Sequence, residues 1–290
     1  MRILVTGHLG MVGQAVTSCL TSAGHAVVGF DLAAGQDVLD ADSLTQAVNG
    51  CDAVVHLAAL DEAQDEDSPF AELGPASTAG DSTIIQNNVG GTYNVLRSSE
   101  RAGIQRVVFM SSVDVYGCFM GQGSPEYFPI DEVHPLDPKG AYAWSKVAGE
   151  ELCQTFTVNS GTPTICLRAP GVFAPSTYEF IKTARRDTPS VEWDPYWEYG
   201  AFIDVRDLAT AVLNALIAPL EGHHRLLVNA NDISSATDES LALADRLMPG
   251  VPVRNRDSYD ESPFKALIDA TKTYELLGWR PLHDWDSTRN

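Results

Sequence analysis

The chain has 290 residues, 44% of them apolar by the AVILMFWYC count and 20% charged, enough to bury one large core or two small ones. Basic residues number 19 against 39 acidic ones, a formal charge of −20, so no basic stripe exists to neutralise a run of phosphates and nucleic acid is excluded as an expected partner. The acidity reads as a solvated, self-repelling surface that aids solubility.

Ile3 to Thr6 predicts a first strand, and Met11 to Ala23 a helix that stops at Gly24, a residue suited to the left-handed conformation past a helix end. Ala26 to Asp31 predicts a second strand, Ser43 to Asn49 a short helix capped by Asp42, and Ala53 to Leu57 a further buried strand. The stretch from Asp61 to Ser82 is polar, acidic and punctuated by Pro and Gly; it is too long for an ordinary connection and reads as a lid or loop beside a site. A helix from about Thr83 to Ala102 ends at Gly103, and the strand Arg106 to Ser111 follows. Tyr142 to Asn159 predicts a long helix ending before Gly161, and Thr164 to Arg168 a strand.

Beyond Pro175 the rhythm weakens, and Pro189, Pro195, Pro219, Pro249, Pro252 and Pro263 break the chain into short pieces. The helix Arg206 to Ile217 and the strand Arg225 to Asn229 return to the main sheet between those pieces. The alternation predicts an α/β fold, a Rossmann-type doubly wound parallel sheet with a small C-terminal substrate-binding cap. Residues 1–175 would form the dinucleotide-binding domain, with elements returning at about 202–230, and residues 176–201 and 231–290 the cap.

Cys19, Cys51, Cys118, Cys153 and Cys166 are odd in number, scattered and without any C-x-x-C, which fits neither a disulfide framework nor a zinc site. A reducing cytoplasm is the expected compartment, and no metal is expected. Met1 and Arg2 lead into an apolar run too short for a signal peptide, and no run approaches a membrane span.

Thr6-Gly7-His8-Leu9-Gly10-Met11-Val12-Gly13 joins the first strand to the first helix, with glycines where the backbone must turn and approach a pyrophosphate that faces the helix N-terminus. Asp31 closes the second strand, where a carboxylate can accept hydrogen bonds from the adenosine ribose hydroxyls. NADP would need a cation there, and neither His8 nor Leu32 to Gln36 supplies an Arg or Lys, so the cofactor expected is NAD.

Ser111-Ser112-Val113-Asp114 closes the strand that begins at Arg106, and Tyr142-Ala143-Trp144-Ser145-Lys146 opens the next helix. Residues four apart share a helix face, so the Tyr142 hydroxyl and the Lys146 ammonium can meet one ligand, the cation favouring phenolate. Tyr178 and Lys182 repeat the spacing, but they lie past the last clear strand of this type and read as the face of a cap helix.

In these segments the chain resembles the extended short-chain dehydrogenase/reductases, the NAD-dependent epimerase/dehydratase family. Beside the glycine loop, Asp37-Val38 resembles the pair that contacts adenine, His56-Leu57-Ala58-Ala59 the strand end beneath the cofactor, and Asn88-Val89-Gly90-Gly91-Thr92 the helix with a structural asparagine. Phe202 to Ala209 and Leu277 to Pro281 match two further segments. The resemblance implies a catalytic Ser112, Tyr142 and Lys146 supported by Asn88. Tyr142 would exchange a proton with a substrate hydroxyl or carbonyl, Ser112 would hydrogen-bond the same oxygen, and Lys146 would bind the nicotinamide ribose.

Cofactor contacts implied are Gly7, Gly10, Met11, Val12 and Gly13 in the loop, then Asp31, Leu32, Asp37 and Val38. Leu57, Ala58, Ala59, Asn88, Tyr142, Lys146, Ala169 and Pro170 complete that set, while Ser112, Val113, Asp114, Tyr142, Gly171 and Arg185 would meet the substrate. A homodimer through the helices that hold Asn88 and Tyr142 is also implied.

Where sugar-nucleotide members carry R-x-x-N-V-Y-G-P, this chain reads Arg168-Ala169-Pro170-Gly171-Val172-Phe173-Ala174-Pro175, and Gly171 lacks the asparagine side chain that helps hold a diphosphate. Val113-Asp114 also keeps only one of the two acids that dehydratases use. The expected enzyme is therefore an NAD-dependent oxidoreductase for a small polar hydroxy or oxo compound, such as a free sugar, sugar acid or polyol. The alternatives are a sugar-nucleotide epimerase or dehydratase with retained NAD, and a non-catalytic NAD-binding sensor. In the cap, Arg185, Arg186, Arg254 and Arg256 are candidate anion partners, and Trp193, Tyr196, Trp197 and Tyr199 candidate walls.

Overall fold

A computed structural model gives the structure of the protein and describes residues 1–62, 79–119, 121–187, 199–235 and 237–285. Its centre is a parallel sheet of strands β1 (Arg2–Thr6), β2 (Ala26–Phe30), β3 (Ala53–His56), β4 (Arg106–Ser112), β5 (Thr164–Ala169) and β8 (His223–Leu227), in the order β2-β1-β3-β4-β5-β8. The inner strands are apolar on both faces because helices cover both. Ile3 and Val5 point into a core shared with Val16 and Leu20 of α1 (Met11–Ser22) and Leu208 and Val212 of α7 (Val205–Ile217). Leu4 points the other way, with Leu44 and Val48 of α2 (Ala41–Val48), Val95 and Leu96 of α4 (Gly91–Ala102) and Cys153 and Phe156 of α5 (Gly140–Ser160).

From β1 the chain runs outward to β2 and then crosses back to β3 on the other side of β1. That reversal opens a crevice beyond the carboxyl ends of β1 and β3, the place where open α/β sheets take ligands.

Several boundaries differ from expectation. The cap of α2 is Asp40 rather than Asp42, because the Asp40 carboxylate accepts from both the Asp42 and Ser43 N–H groups at 3.1 Å, leaving Asp42 inside the first turn. The helix expected from about Thr83 to Ala102 is α3 (Asp81–Ile85) and α4 joined by a π turn, Gln86–Gly90. There Gly91 lies so close to Val38 that a Cβ would come within 2.6 Å of its Cγ2. β8 starts at His223 rather than Arg225, since its parallel register with β5 begins at Thr164. Of the expected loop beside the site, residues 63–78 lie outside those described.

The short strands β6 (Val172–Phe173) and β7 (Ile203–Asp204) pair with each other, and α6 (Pro175–Asp187) follows β6. A second apolar cluster holds Val113, Phe128, Ile130, Tyr199, Ile233, Leu243 of α8 (Ser240–Leu247), Tyr259 and Leu267. Phe128 and Ile130, which precede α5, form bridges to Val253 and Ile268. After α9 (Thr271–Leu277), Trp279 Nε1 donates to Thr210 Oγ1 at 2.9 Å, and Asp207 accepts from the Leu282 and His283 N–H groups at 3.0 and 2.8 Å. The tail is thus tied to α7. No helix among the described residues is long and apolar enough to cross a membrane.

One ion pair sets α5 against the sheet. Glu150 is fully buried, and its carboxylate takes Arg168 Nε at 2.8 Å and Nη2 at 2.7 Å and the Ser111 hydroxyl at 2.6 Å. Arg225 Nε stands 3.0 Å from the same carboxylate, and Arg168 Nη1 reaches Tyr116 Oη at 2.9 Å. Removing one partner strands a buried charge, so Glu150→Ala should cost about 3–5 kcal/mol of stability, read as a lowered urea midpoint with an unchanged slope. A loss below about 1 kcal/mol would mean that water solvates Arg168 in the variant.

Candidate functional site

Three glycines build the loop at the end of β1, each for a different reason. Gly7 has φ +72°, and a Cβ there would lie 2.8 Å from the Ala58 nitrogen beyond β3. Gly13 sits so close to the loop that a Cβ would fall 2.0 Å from Gly7 O. Gly10 is under no such pressure, with Gly7 O the nearest atom at 3.5 Å, and it offers no side-chain cap to α1. The first N–H groups of α1 therefore remain for an anion, with Met11 exposed beside them and Val12 half-buried.

Asp31 Oδ2 accepts from the Leu9 N–H at 2.9 Å and Oδ1 from the Ala33 N–H at 2.9 Å, tying the loop to the end of β2. Each oxygen keeps lone-pair capacity for a ribose hydroxyl. Leu32 is exposed next to it, Asp37 is half-buried, and Val38 is buried against Gly91. The His8 ring lies on Gly29, where a Cβ would come within 2.4 Å of Nε2. Leu57 and Ala58 are half-buried and Ala59 exposed past β3, while Ala169 and Pro170 are buried at the end of β5. This cradle has the shape and chemistry a dinucleotide would need: a bare glycine loop at Gly7, Gly10 and Gly13 beside the α1 N–H groups, and open acceptor capacity on Asp31.

Behind the cradle runs a polar chain whose protons can be assigned. The Ala58 N–H donates to Thr6 Oγ1 at 3.3 Å, and Thr6 Oγ1 lies 2.7 Å from His56 Nδ1. His56 Nε2 lies 3.0 Å from Thr92 Oγ1, whose own proton goes to Asn88 O at 2.6 Å. His56 must then carry its proton on Nε2 and accept from Thr6 on Nδ1. Burial first, then the Lys146 charge, pushes His56 down to about 3, so it stays neutral.

Asn88 sits in the π turn. Its Oδ1 accepts from the Leu60 N–H at 2.7 Å, and its Nδ2 donates to Leu60 O at 2.8 Å and to Ser145 Oγ at 2.9 Å. Ser145 in turn donates to Tyr142 O at 2.7 Å. Asn88 thus clamps the backbone after β3 and reaches Tyr142 through Ser145.

Ser112, Asp114, Tyr142 and Lys146 gather where the ends of β4 and α5 meet. Lys146 is buried, its Nζ donates to Met110 O at 2.9 Å, and the ammonium stands 5.1 Å from the Tyr142 ring centroid and 5.4 Å from that of Phe109. Gly149 makes room for Phe109, since a Cβ there would meet the ring at 2.4 Å. Burial pushes Lys146 down to about 8, against the opposing charges of Asp61, Asp114 and Glu150. Ser112 Oγ donates to Asp114 Oδ2 at 2.8 Å. Val113 turns instead into the second apolar cluster.

Sequence reasoning missed three acids here. Glu62 Oε1 accepts from the Tyr142 N–H at 3.0 Å and caps α5 from 80 residues away, packed where a Cβ on Gly140 would meet it at 2.3 Å. The Asp61 charge favours the Lys146 ammonium, while burial first raises its own carboxyl group. Nothing local marks either one. Glu150 does carry a signal, lying four residues after Lys146 on the same helix face.

The cap candidates fare differently. Arg186, Arg254 and Arg256 pair with Asp187 at 2.9 Å, Asp131 at 3.4 Å and Asp245 at 2.8 Å. Arg185 lies on α6 with its side chain outside those described, and Trp193, Tyr196 and Trp197 are outside the described residues. Tyr199 is buried against Phe119 and Phe128 and donates to Cys118 O, which makes it packing. Tyr178 packs with Phe173 and Trp285 and donates to Asp204 Oδ2 at 2.9 Å. Gly171 is half-buried beside β6, its carbonyl taking the Ile203 N–H at 3.0 Å.

The sequence model of the NAD dependent epimerase/dehydratase family matches residues 3–230. UDP-glucose 4-epimerase of Azospirillum brasilense is 28% identical over 98% of this chain and 88% of its own length. L-arabinose 1-dehydrogenase (NAD(P)(+)) of Haloferax volcanii is 33% identical over 58% of this chain and 65% of its own. A solved short-chain dehydrogenase/reductase superfamily protein from Agrobacterium tumefaciens with bound NAD superposes with a TM-score of 0.70 at 22% identity, covering 99% of this chain and 94% of that one. That likeness shows the shared fold.

Gly13→Ala should weaken NAD binding by at least about tenfold by calorimetry while the far-ultraviolet dichroism stays native, because the added methyl forces α1 away from Gly7. Unchanged affinity would place the dinucleotide elsewhere.

Proposed function

Because the chain belongs to the NAD dependent epimerase/dehydratase family, we propose that it is an NAD-dependent oxidoreductase acting between a hydroxyl and a carbonyl carbon of a small, polar, sugar-like substrate. The observation that supports this most is the Lys146 ammonium 5.1 Å from the Tyr142 ring centroid, on a helix that packs against the end of β4 where Ser112 sits. Bound NAD would supply the hydride acceptor, held by Gly7, Gly10, Met11, Val12 and Gly13, by Asp31, Leu32, Asp37 and Val38, and by Leu57, Ala58 and Ala59.

Lys146 would hold the nicotinamide ribose and favour the Tyr142 phenolate. The phenolate oxygen takes the substrate hydroxyl proton as the carbon gives up its hydride, leaving a carbonyl whose oxygen Ser112 hydrogen-bonds. Asn88 acts as a positioning residue, through Leu60 and Ser145. We assign substrate binding to residues 176–201 and 231–290, together with Gly171 and Arg185.

A second reading, an epimerase that retains NAD, draws on the 28% identity with UDP-glucose 4-epimerase over 98% of this chain. Gly171 weighs against it, having no side chain to help hold a diphosphate. Mixing excess NAD with free sugars, uronic acids, polyols and sugar nucleotides separates the two. NADH beyond one equivalent per subunit, reduced at least about a hundredfold in Tyr142→Phe, is expected from the oxidoreductase. A sugar nucleotide that changes configuration without net NADH would establish the epimerase.

The exposed aromatic side chains Tyr93 on α4 and Trp144 on α5, 52% and 59% accessible, favour a homodimer paired through these helices. Sedimentation should show a dimer at micromolar concentration and a monomer for Trp144→Glu; a wild-type monomer would refute it.

A further inference from the structure

Tyr142 lies in the first turn of α5, where N–H groups have no partner within the helix and the end opens most easily. Lys146 lies one turn further in, buried and fixed by its bond to Met110 O. The pair that must meet one ligand therefore spans a turn that can fray and a turn that cannot. Lys139, which precedes the helix, gives it no side-chain cap; an ammonium has no acceptor, and this one goes to Asp137 at 2.6 Å. The acceptor comes instead from Glu62, half-buried after β3, whose Oε1 takes the Tyr142 N–H at 3.0 Å.

The helix start is shaped to receive that side chain. Gly140 has φ +76°, a left-handed conformation that glycine adopts freely, and a Cβ there would come within 2.3 Å of Glu62 Oε1. The contact also closes a circuit. Asn88 Nδ2 donates to Leu60 O at 2.8 Å and to Ser145 Oγ at 2.9 Å, and Ser145 donates to Tyr142 O at 2.7 Å. Leu60 is two residues before Glu62, so a ring runs from the Tyr142 N–H through Glu62 and Leu60 to Asn88, and back through Ser145 to the Tyr142 carbonyl. Both polar groups of the Tyr142 main chain are gripped by side chains. Stabilising α5 alone would need no such ring, since a serine or aspartate at position 139 would cap the helix locally.

We propose, resting on the oxidoreductase reading, that Glu62 is a positioning residue for Tyr142, holding the first turn of α5 closed so that the phenol keeps its place against Lys146. It does so as a hydrogen-bond acceptor and not through its charge. Proton transfer is sensitive to the placement of the reacting atoms, so the contact acts on turnover more than on binding.

The test measures NADH formation with the panel sugar turned over fastest. Glu62→Ala should lower kcat by at least about tenfold while KM and the calorimetric NAD affinity stay within about threefold. Glu62→Gln, which keeps an acceptor oxygen without the charge, should hold kcat within about threefold of the wild type. Gly140→Ala places a methyl group where the carboxyl group sits; it should lower kcat as Glu62→Ala does and add less than about threefold in the Glu62→Ala background. It also carries the comparison if Glu62→Ala fails to fold. An unchanged kcat in Glu62→Ala overturns the proposal, and so does a Gln variant as impaired as the Ala one. If no sugar yields NADH, it is the oxidoreductase reading that fails, and the carbon-13 resonance of Tyr142 Cζ in the NAD-loaded protein, assigned by its absence from Tyr142→Phe, still decides. That line should be narrow and at one shift in the wild type and Glu62→Gln, and broadened or displaced in Glu62→Ala. A line that coincides in all three refutes the positioning role.

Discussion

The Glu150 carboxylate is the point on which the reacting end of the molecule depends. It faces the sheet from α5 one turn beyond Lys146, and it receives Arg168 from β5 and Ser111 from β4, the residue just before Ser112. Tyr142, Lys146 and Ser112 belong to elements whose relative height and rotation would otherwise rest on apolar packing, which tolerates sliding far better than a bidentate ion pair does. An isolated buried charge is costly, so the arrangement is held as a unit: Glu150, Arg168, Ser111 and the Tyr116 hydroxyl satisfy one another. Seen this way, the pair is less a source of stability than a device that fixes register beneath the site.

Two further constraints act at the same height of the sheet. Gly7 and Gly13 let the ends of β1 and β3 and the start of α1 approach closer than any side chain allows, which shapes the cradle. The chain Thr6, His56, Thr92, Asn88 then carries that geometry into the π turn, and Asn88 passes it to Leu60 and, through Ser145, to Tyr142. The cradle and the tyrosine are joined by hydrogen bonds with a defined direction, made possible because His56 stays neutral.

The sheet, its parallel sense and the glycine loop were legible because each depends on local pattern: β-branched runs such as Ala53 to His56, and a glycine spacing between a strand and a helix. The Tyr142 and Lys146 pair was legible for the same reason, since helical spacing alone puts them on one face. The π turn was not, because one extra residue in a helical turn leaves the apolar spacing almost unchanged. Glu62 was not legible either: its role is to cap a helix that begins 78 positions later at Gly140, and no sequence window spans both. The cap arginines looked like anion partners by type, but each has a carboxylate neighbour: Asp187 next to Arg186, Asp245 11 positions before Arg256, and Asp131 123 positions before Arg254, where only the fold could supply it.

What the sequence by itself determined is the set of parts: a doubly wound parallel sheet, a dinucleotide loop, and a serine, tyrosine and lysine at family spacing. These follow from propensity, periodicity and motif, all of which act over a few residues. Only the tertiary structure decided which polar atoms meet. It brought the charges of Asp61, Asp114 and Glu150 to bear on one lysine, gave the Ser112 proton to Asp114 and the Tyr142 N–H to Glu62, and paired Arg168 with Glu150. Hydrogen bonds and buried charges are settled by contact at a few ångströms, and contacts between strand ends and helix starts far apart in the chain exist only once the sheet has brought them together.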